Sequence, residues 1–126
     1  MSELTCLTLS VLLWVTHVLI QAGASQVALP LPWLFSARDK PAAPQGLIFG
    51  RATRALANYV ENFTAFAALD LAFIATHHPA GIWPTIWILA RIVYLPLYLF
   101  NVAYCRSLAW GVSFVAIVAM LGRLSL

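Results

Sequence analysis

"RATRALANYVENFTAF", residues 51–66, decides how this chain is read. It sets two arginines, an asparagine and a glutamate at the mouth of an otherwise apolar segment. At about 100° per residue, the spacing of Arg51, Arg54, Asn58 and Glu61 gathers all four within an arc of roughly 80° on one helix face. The question is what such a face meets, and the rest of the chain restricts the answers.

The 126 residues are 63% hydrophobic and 9% charged, and the mean hydropathy is +0.90. These values lie far outside the soluble range and indicate an integral membrane protein. One crossing of the hydrocarbon core takes about 20 apolar residues, and the sequence offers four such stretches, near 4–22, 55–77, 81–104 and 108–125. The expected fold is all-α, a single four-span membrane domain over 1–126 with antiparallel helices. Little remains for a soluble domain, and the expected surroundings are the lipid bilayer, with no nucleic-acid partner.

The first stretch, "LTCLTLSVLLWVTHVLIQAGAS", ends in small residues that resemble a signal-peptidase site. A signal peptide, however, starts with positive charge, whereas this segment begins with Glu3, so it is read as a span. Short loops rich in Lys and Arg stay cytoplasmic. Arg38, Lys40, Arg51 and Arg54 flank the first connection and Arg106 lies in the third, while only Arg123 falls on the other side. The expected topology has both termini outside the cytoplasm and the long loop inside. Pro41, Pro44, Gly46 and Gly50 make 23–50 an irregular connection, within which "VALPLPWLF" is apolar enough to lie on the membrane surface. "THHPAG" reads as a tight turn, and the third connection, around "YCRS", is short enough to force a helical hairpin. Cys6 and Cys105 then fall on opposite faces, so no disulfide joins them, and no metal-ligand spacing occurs.

A second stripe matches the first: Arg91, Tyr94, Tyr98 and Asn101 repeat the spacing of three, four and three in the third span. A charge in hydrocarbon costs several kcal/mol unless paired or wetted, so both stripes should face the bundle interior and each other. Arg51 and Arg54 could instead snorkel to the interface. By helical rise Glu61 lies about 10 to 15 Å in, and Arg91 lies near mid-membrane. Asp70, roughly 180° round from Glu61, and Glu61 itself are rival ion-pair partners for Arg91. His17 reads as a helix-contact residue, and His77 and His78 as solvated turn residues. The tryptophans at 14, 33, 83, 87 and 110 mostly suit interfacial or lipid-facing places. Pro96 should bend the third span beside Tyr94 and Tyr98.

At the cytoplasmic end the stripes assemble cations (Arg51, Arg54, Arg106), an acid (Glu61), an amide (Asn58) and phenols (Tyr94, Tyr98). That set suits a small zwitterionic or multiply anionic molecule, because arginines bind carboxylates bidentately and a carboxylate binds an amine. A lipophilic second molecule could enter from the bilayer.

The run Arg51, Arg54-Ala55, Asn58, Glu61 and Phe66, followed by "ARIVYLPLY" at 90–98 and Arg106-Ser107, resembles the MAPEG family, the membrane-associated proteins of eicosanoid and glutathione metabolism. It is most similar to the short bacterial members. The resemblance implies a four-helix subunit, a homotrimer, a bacterial inner-membrane location and glutathione held between neighbouring subunits. By the same resemblance, Arg54, Asn58, Glu61 and Tyr98 are glutathione contacts, with Arg51 and Tyr94 beside them. Arg106 would stabilise the thiolate, with Ser107 next to it. A thiol of pKa about 8.5 is mostly protonated at neutral pH, and a nearby arginine favours the nucleophilic thiolate. The implied activity is a glutathione-dependent transferase or peroxidase acting on lipophilic electrophiles or peroxides. Departures stand at Ala57, Ala65, Tyr94 and Trp110, where relatives commonly have arginine, proline, histidine and tyrosine, and the first helix lacks an arginine. A non-catalytic or differently liganded relative, binding another small polar molecule or a membrane partner, is therefore the alternative. A small four-span transporter is a third, although its usual first-span glutamate is missing here.

Overall fold

A computed structural model describes residues 1–125. Five helices, α1 (Glu3–Ala28), α2 (Leu31–Leu34), α3 (Ile48–Thr76), α4 (Trp83–Leu99) and α5 (Ala103–Ser125), account for the ordered elements, with no strand among the described residues. α1 and α5 are each long and apolar enough to cross a membrane. α3 has the length, with 29 residues, but Asn58, Glu61, Asn62 and Asp70 dilute its apolar character. α4 is strongly apolar yet only 17 residues long, about 25 Å of helix.

Helix ends follow local chemistry. Ser2 caps α1, its hydroxyl accepting from the Thr5 amide at 3.2 Å. His77, in the left-handed region at φ 52°, ends α3, and its amide donates back to the Ile74 carbonyl at 3.4 Å. Glu3 then ties the "THHPAG" turn to the start of α1 by accepting the Ala80 amide at 3.1 Å. From α5, Arg123 donates to the Pro79 carbonyl at 3.3 Å.

Three boundaries differ from expectation. α1 runs on to Ala28 and α3 starts at Ile48, so the connection shrinks to 29–47, with α2 inside it, and both Arg51 and Arg54 are fully helical. The third break lies at Phe100–Val102, ahead of "YCRS", because Asn101 takes the left-handed conformation, φ 60°, that stops α4. Arg106 and Ser107 are consequently residues of α5. The same break takes Asn101 off the α4 stripe and leaves it exposed.

α4 packs most extensively on α5, and α1 on α3, with α3 also touching α4 and α5. Small residues allow the α1–α3 approach. Cys6 and Ser10 on α1 and Ala55 on α3 are fully buried, and the Tyr59 hydroxyl donates to the Ser10 carbonyl at 2.7 Å. Between α3 and α4 the Phe66 and Trp87 rings stack 3.9 Å apart. Trp87 is thus fully buried, contrary to an interfacial or lipid-facing place, because Phe66 supplies a flat face at the α3–α4 crossing.

Candidate functional site

The α3 stripe is split by the border of the buried face. Ala52, Ala55, Tyr59 and Phe66 define that face, and an 80° arc beside it cannot all turn inward. Arg51 and Asn58 are half-buried and reach α4, whereas Arg54 and Glu61 are exposed. Arg51 Nη1 donates to the Leu99 carbonyl at 3.0 Å, close to the end of α4, where that carbonyl lacks a helical partner.

On the α4 stripe Arg91 and Tyr94 are buried and Tyr98 is half-buried. Arg91 is fully buried, and its Nη2 donates to Asn58 Oδ1 at 2.8 Å and to the Asn58 carbonyl at 3.2 Å. Neither expected acid pairs with it. Glu61 points away on the exposed side of α3, and Asp70, equally buried, has no hydrogen-bond partner for either carboxylate oxygen. Asn58 takes the place because it is the stripe residue nearest the α3–α4 contact. Arg91 also lies between two rings, 5.5 Å from the Tyr59 centroid and 4.5 Å from that of Tyr94, so π-faces supply part of what a counterion would.

From Arg91 a row of rings leads outward. Tyr94 and Tyr98 have centroids 5.5 Å apart, and the Arg106 guanidinium lies over Tyr98 at 4.7 Å. Inward, His17 stacks on Tyr59 at 4.5 Å with Nδ1 at 2.8 Å from the Leu13 carbonyl, a helix-contact role. Tyr94, Tyr98, Arg106, Ser107 and Trp110 line an open cleft of ≈ 270 Å³ between α4 and α5. Four sequence-predicted site residues therefore share one cavity. The other four do not line it: Arg51 and Asn58 bind α4, and Arg54 and Glu61 face outward. Tyr59, His17 and Trp110 were not among the expected site residues. Tyr59 falls outside the 51–54–58–61 spacing, and no pattern in the sequence marks it as a partner of Arg91. Both cysteines are free, Cys6 buried and Cys105 exposed.

An arginine above a tyrosine in a half-open, ring-lined cleft can hold an anion, and the hydroxyl of Ser107 adds a donor and acceptor at its rim. These elements describe an all-α membrane protein with a cationic, aromatic cleft between its last two helices. The chain belongs to the MAPEG family, whose sequence pattern it matches over residues 4–126. No curated protein matches it.

Proposed function

We propose that this protein is a glutathione-dependent transferase or peroxidase acting on lipophilic electrophiles or peroxides, working as a homotrimer of four-span subunits. The observation that carries the reading is the Arg106 guanidinium over Tyr98 in the cleft it shares with Tyr94 and Ser107. Family membership makes glutathione the first candidate for the occupant, and the residues fit it. Arg106 offers a cation to a thiolate, Arg54 a fork for a carboxylate, and Glu61 an acceptor for an amine. Bound glutathione would supply the thiol whose deprotonated form attacks the electrophile or reduces the peroxide.

The chain's own part is electrostatic. Arg106, half-buried at the rim of the cleft, stabilises negative charge, an interaction stronger beside low-dielectric ring walls than in bulk water. The Tyr98 ring holds the guanidinium by cation–π attraction, and Ser107 can donate to an anion at the rim. Arg91 anchors the inner end of the row by fixing Asn58 and Tyr94. Arg54 and Glu61 face away from their own subunit's cleft, so in a trimer they are available to a neighbour's. Both termini would lie outside the cytoplasm of a bacterial inner membrane.

The test is direct. Purified protein should melt at a higher temperature with millimolar glutathione and conjugate it to a chlorodinitrobenzene, with native mass spectrometry giving a trimer. Absence of both the melting shift and the conjugation sinks the enzyme reading. One observation favours the second reading, a differently liganded relative: Ala57, exposed on α3 between Arg54 and Asn58, brings a methyl where relatives carry a further cation. A melting shift with other small dianions but none with glutathione would select it.

A further inference from the structure

The segment from the end of α1 through residue 40 takes no part in the cleft, yet it has its own construction. α1 has 26 residues, about 39 Å by helical rise against a hydrocarbon core of about 30 Å, so a crossing helix of that length carries one end to headgroup depth. If that end is its C-terminus, α2 and the following loop lie there too. Apolar side chains remain uncovered at that level: Val27 and Phe35 are each 89% exposed and Leu31 is 54% exposed. Next to them stand two cations, Arg38 and Lys40, with Asp39 between them offsetting one charge.

Arg38 is held in place by several contacts. Its backbone sits at φ 59°, a left-handed conformation that costs a non-glycine residue free energy and calls for local support. The support is visible. The Arg38 amide donates to Ser36 Oγ at 3.1 Å, its Nη2 donates to the Leu34 carbonyl at 3.2 Å, and the guanidinium lies 5.5 Å from the Trp33 ring centroid. Trp33 is itself fixed by Nε1 donating to the Lys40 carbonyl at 2.6 Å. The Gln45 amide, bonded to the Ala28 carbonyl at 2.9 Å, returns the loop to the end of α1. Beneath this arrangement is a cavity of ≈ 280 Å³ whose lining includes Gln21, Ser25, Leu29, Trp33 and Arg38. Its lining is mostly apolar, with Gln21 and Ser25 on α1 and Arg38 at the rim as the polar members.

We infer that residues 21–40 form a binding site for an anionic phospholipid, with the phosphate headgroup against the exposed Arg38 and Lys40 at the rim and the acyl chains along the apolar lining and against Leu31 and Phe35. Apolar contact without charge would fit any lipid, and charge without apolar contact would fit any soluble anion. Their adjacency at headgroup depth selects a lipid with a net negative head. A basic residue near a membrane surface favours anionic lipid roughly fivefold. The inference does not depend on glutathione being the ligand of the α4–α5 cleft.

The experiment is native mass spectrometry of the full chain released from detergent containing equal phosphatidylglycerol and phosphatidylcholine. The wild type should retain phosphatidylglycerol in preference. Lys40→Gln, at an exposed side chain, should lower that preference roughly fivefold, and Arg38→Gln with Lys40→Gln roughly 25-fold. Phe35→Ser should reduce retention of both lipids. Unchanged preference in the Lys40→Gln and double variants overturns the inference. So does displacement of the lipid by an equal concentration of glycerol phosphate, which would reveal a soluble-anion site. Loss of the oligomer in Phe35→Ser, with lipid retention intact, overturns it too and makes the apolar face a subunit contact.

Discussion

Arg91 and Arg106 stand at two ends of one row of aromatic rings and meet opposite surroundings. Arg91 is fully buried, held by Asn58 and flanked by Tyr59 and Tyr94, with Nε and Nη1 left without a hydrogen-bond partner. Arg106 is half-buried at the rim of an open cleft, above Tyr98. The same side chain thus acts as a structural joint between α3 and α4 at one end and is available to a ligand at the other. Depth in the helix packing, rather than residue type, separates the two.

Substitutions should divide along that line. Arg91→Ala removes a buried side chain and strands Asn58 Oδ1. A loss of about 4 kcal/mol is expected, from the cavity and the unsatisfied acceptor together, seen as a large fall in melting temperature in detergent. If Arg91→Ala instead melts like wild type, the joint is not structural and the contrast collapses. On the proposed function, Arg106→Ala should lower glutathione turnover about 100-fold, the usual effect of removing one preorganised charge-stabilising group, with melting and the proposed trimer unchanged. Loss of the trimer would recast Arg106 as a subunit contact. Tyr59→Phe, which deletes the hydroxyl bonded to the Ser10 carbonyl, should cost about 1 kcal/mol of stability and little activity. Glu61→Gln sits on the exposed side of α3 and should change stability by less than about 0.5 kcal/mol, while weakening glutathione binding in a calorimetric titration. A melting shift as large as that of Tyr59→Phe would mean that Glu61 is buried in the assembled protein.

Much of this was legible from residue order. Hydropathy located the four long helices, and the Pro and Gly of "THHPAG" located one turn, since both are local properties. The 3–4–3 spacing correctly grouped Arg91, Tyr94 and Tyr98, because a helix imposes its period on any side chain. It misjudged Asn101, since the same residue can continue a helix or end it in the left-handed region, and packing chose the latter. It also treated Arg51, Arg54, Asn58 and Glu61 as equivalent. Their shared arc lies at the edge of the core, so two turned toward α4 and two away.

The sequence by itself determined that this is an apolar, helical, membrane-resident chain of the MAPEG family with polar residues at helical period, because composition, period and motif are properties of residue order. The tertiary structure alone decided that Asn58 rather than an acid receives Arg91, that Trp87 lies inside and that Arg106 shares a cleft with Tyr94 and Tyr98. Those outcomes depend on which helix faces meet, and meeting faces are set by side-chain size and burial across distant parts of the chain.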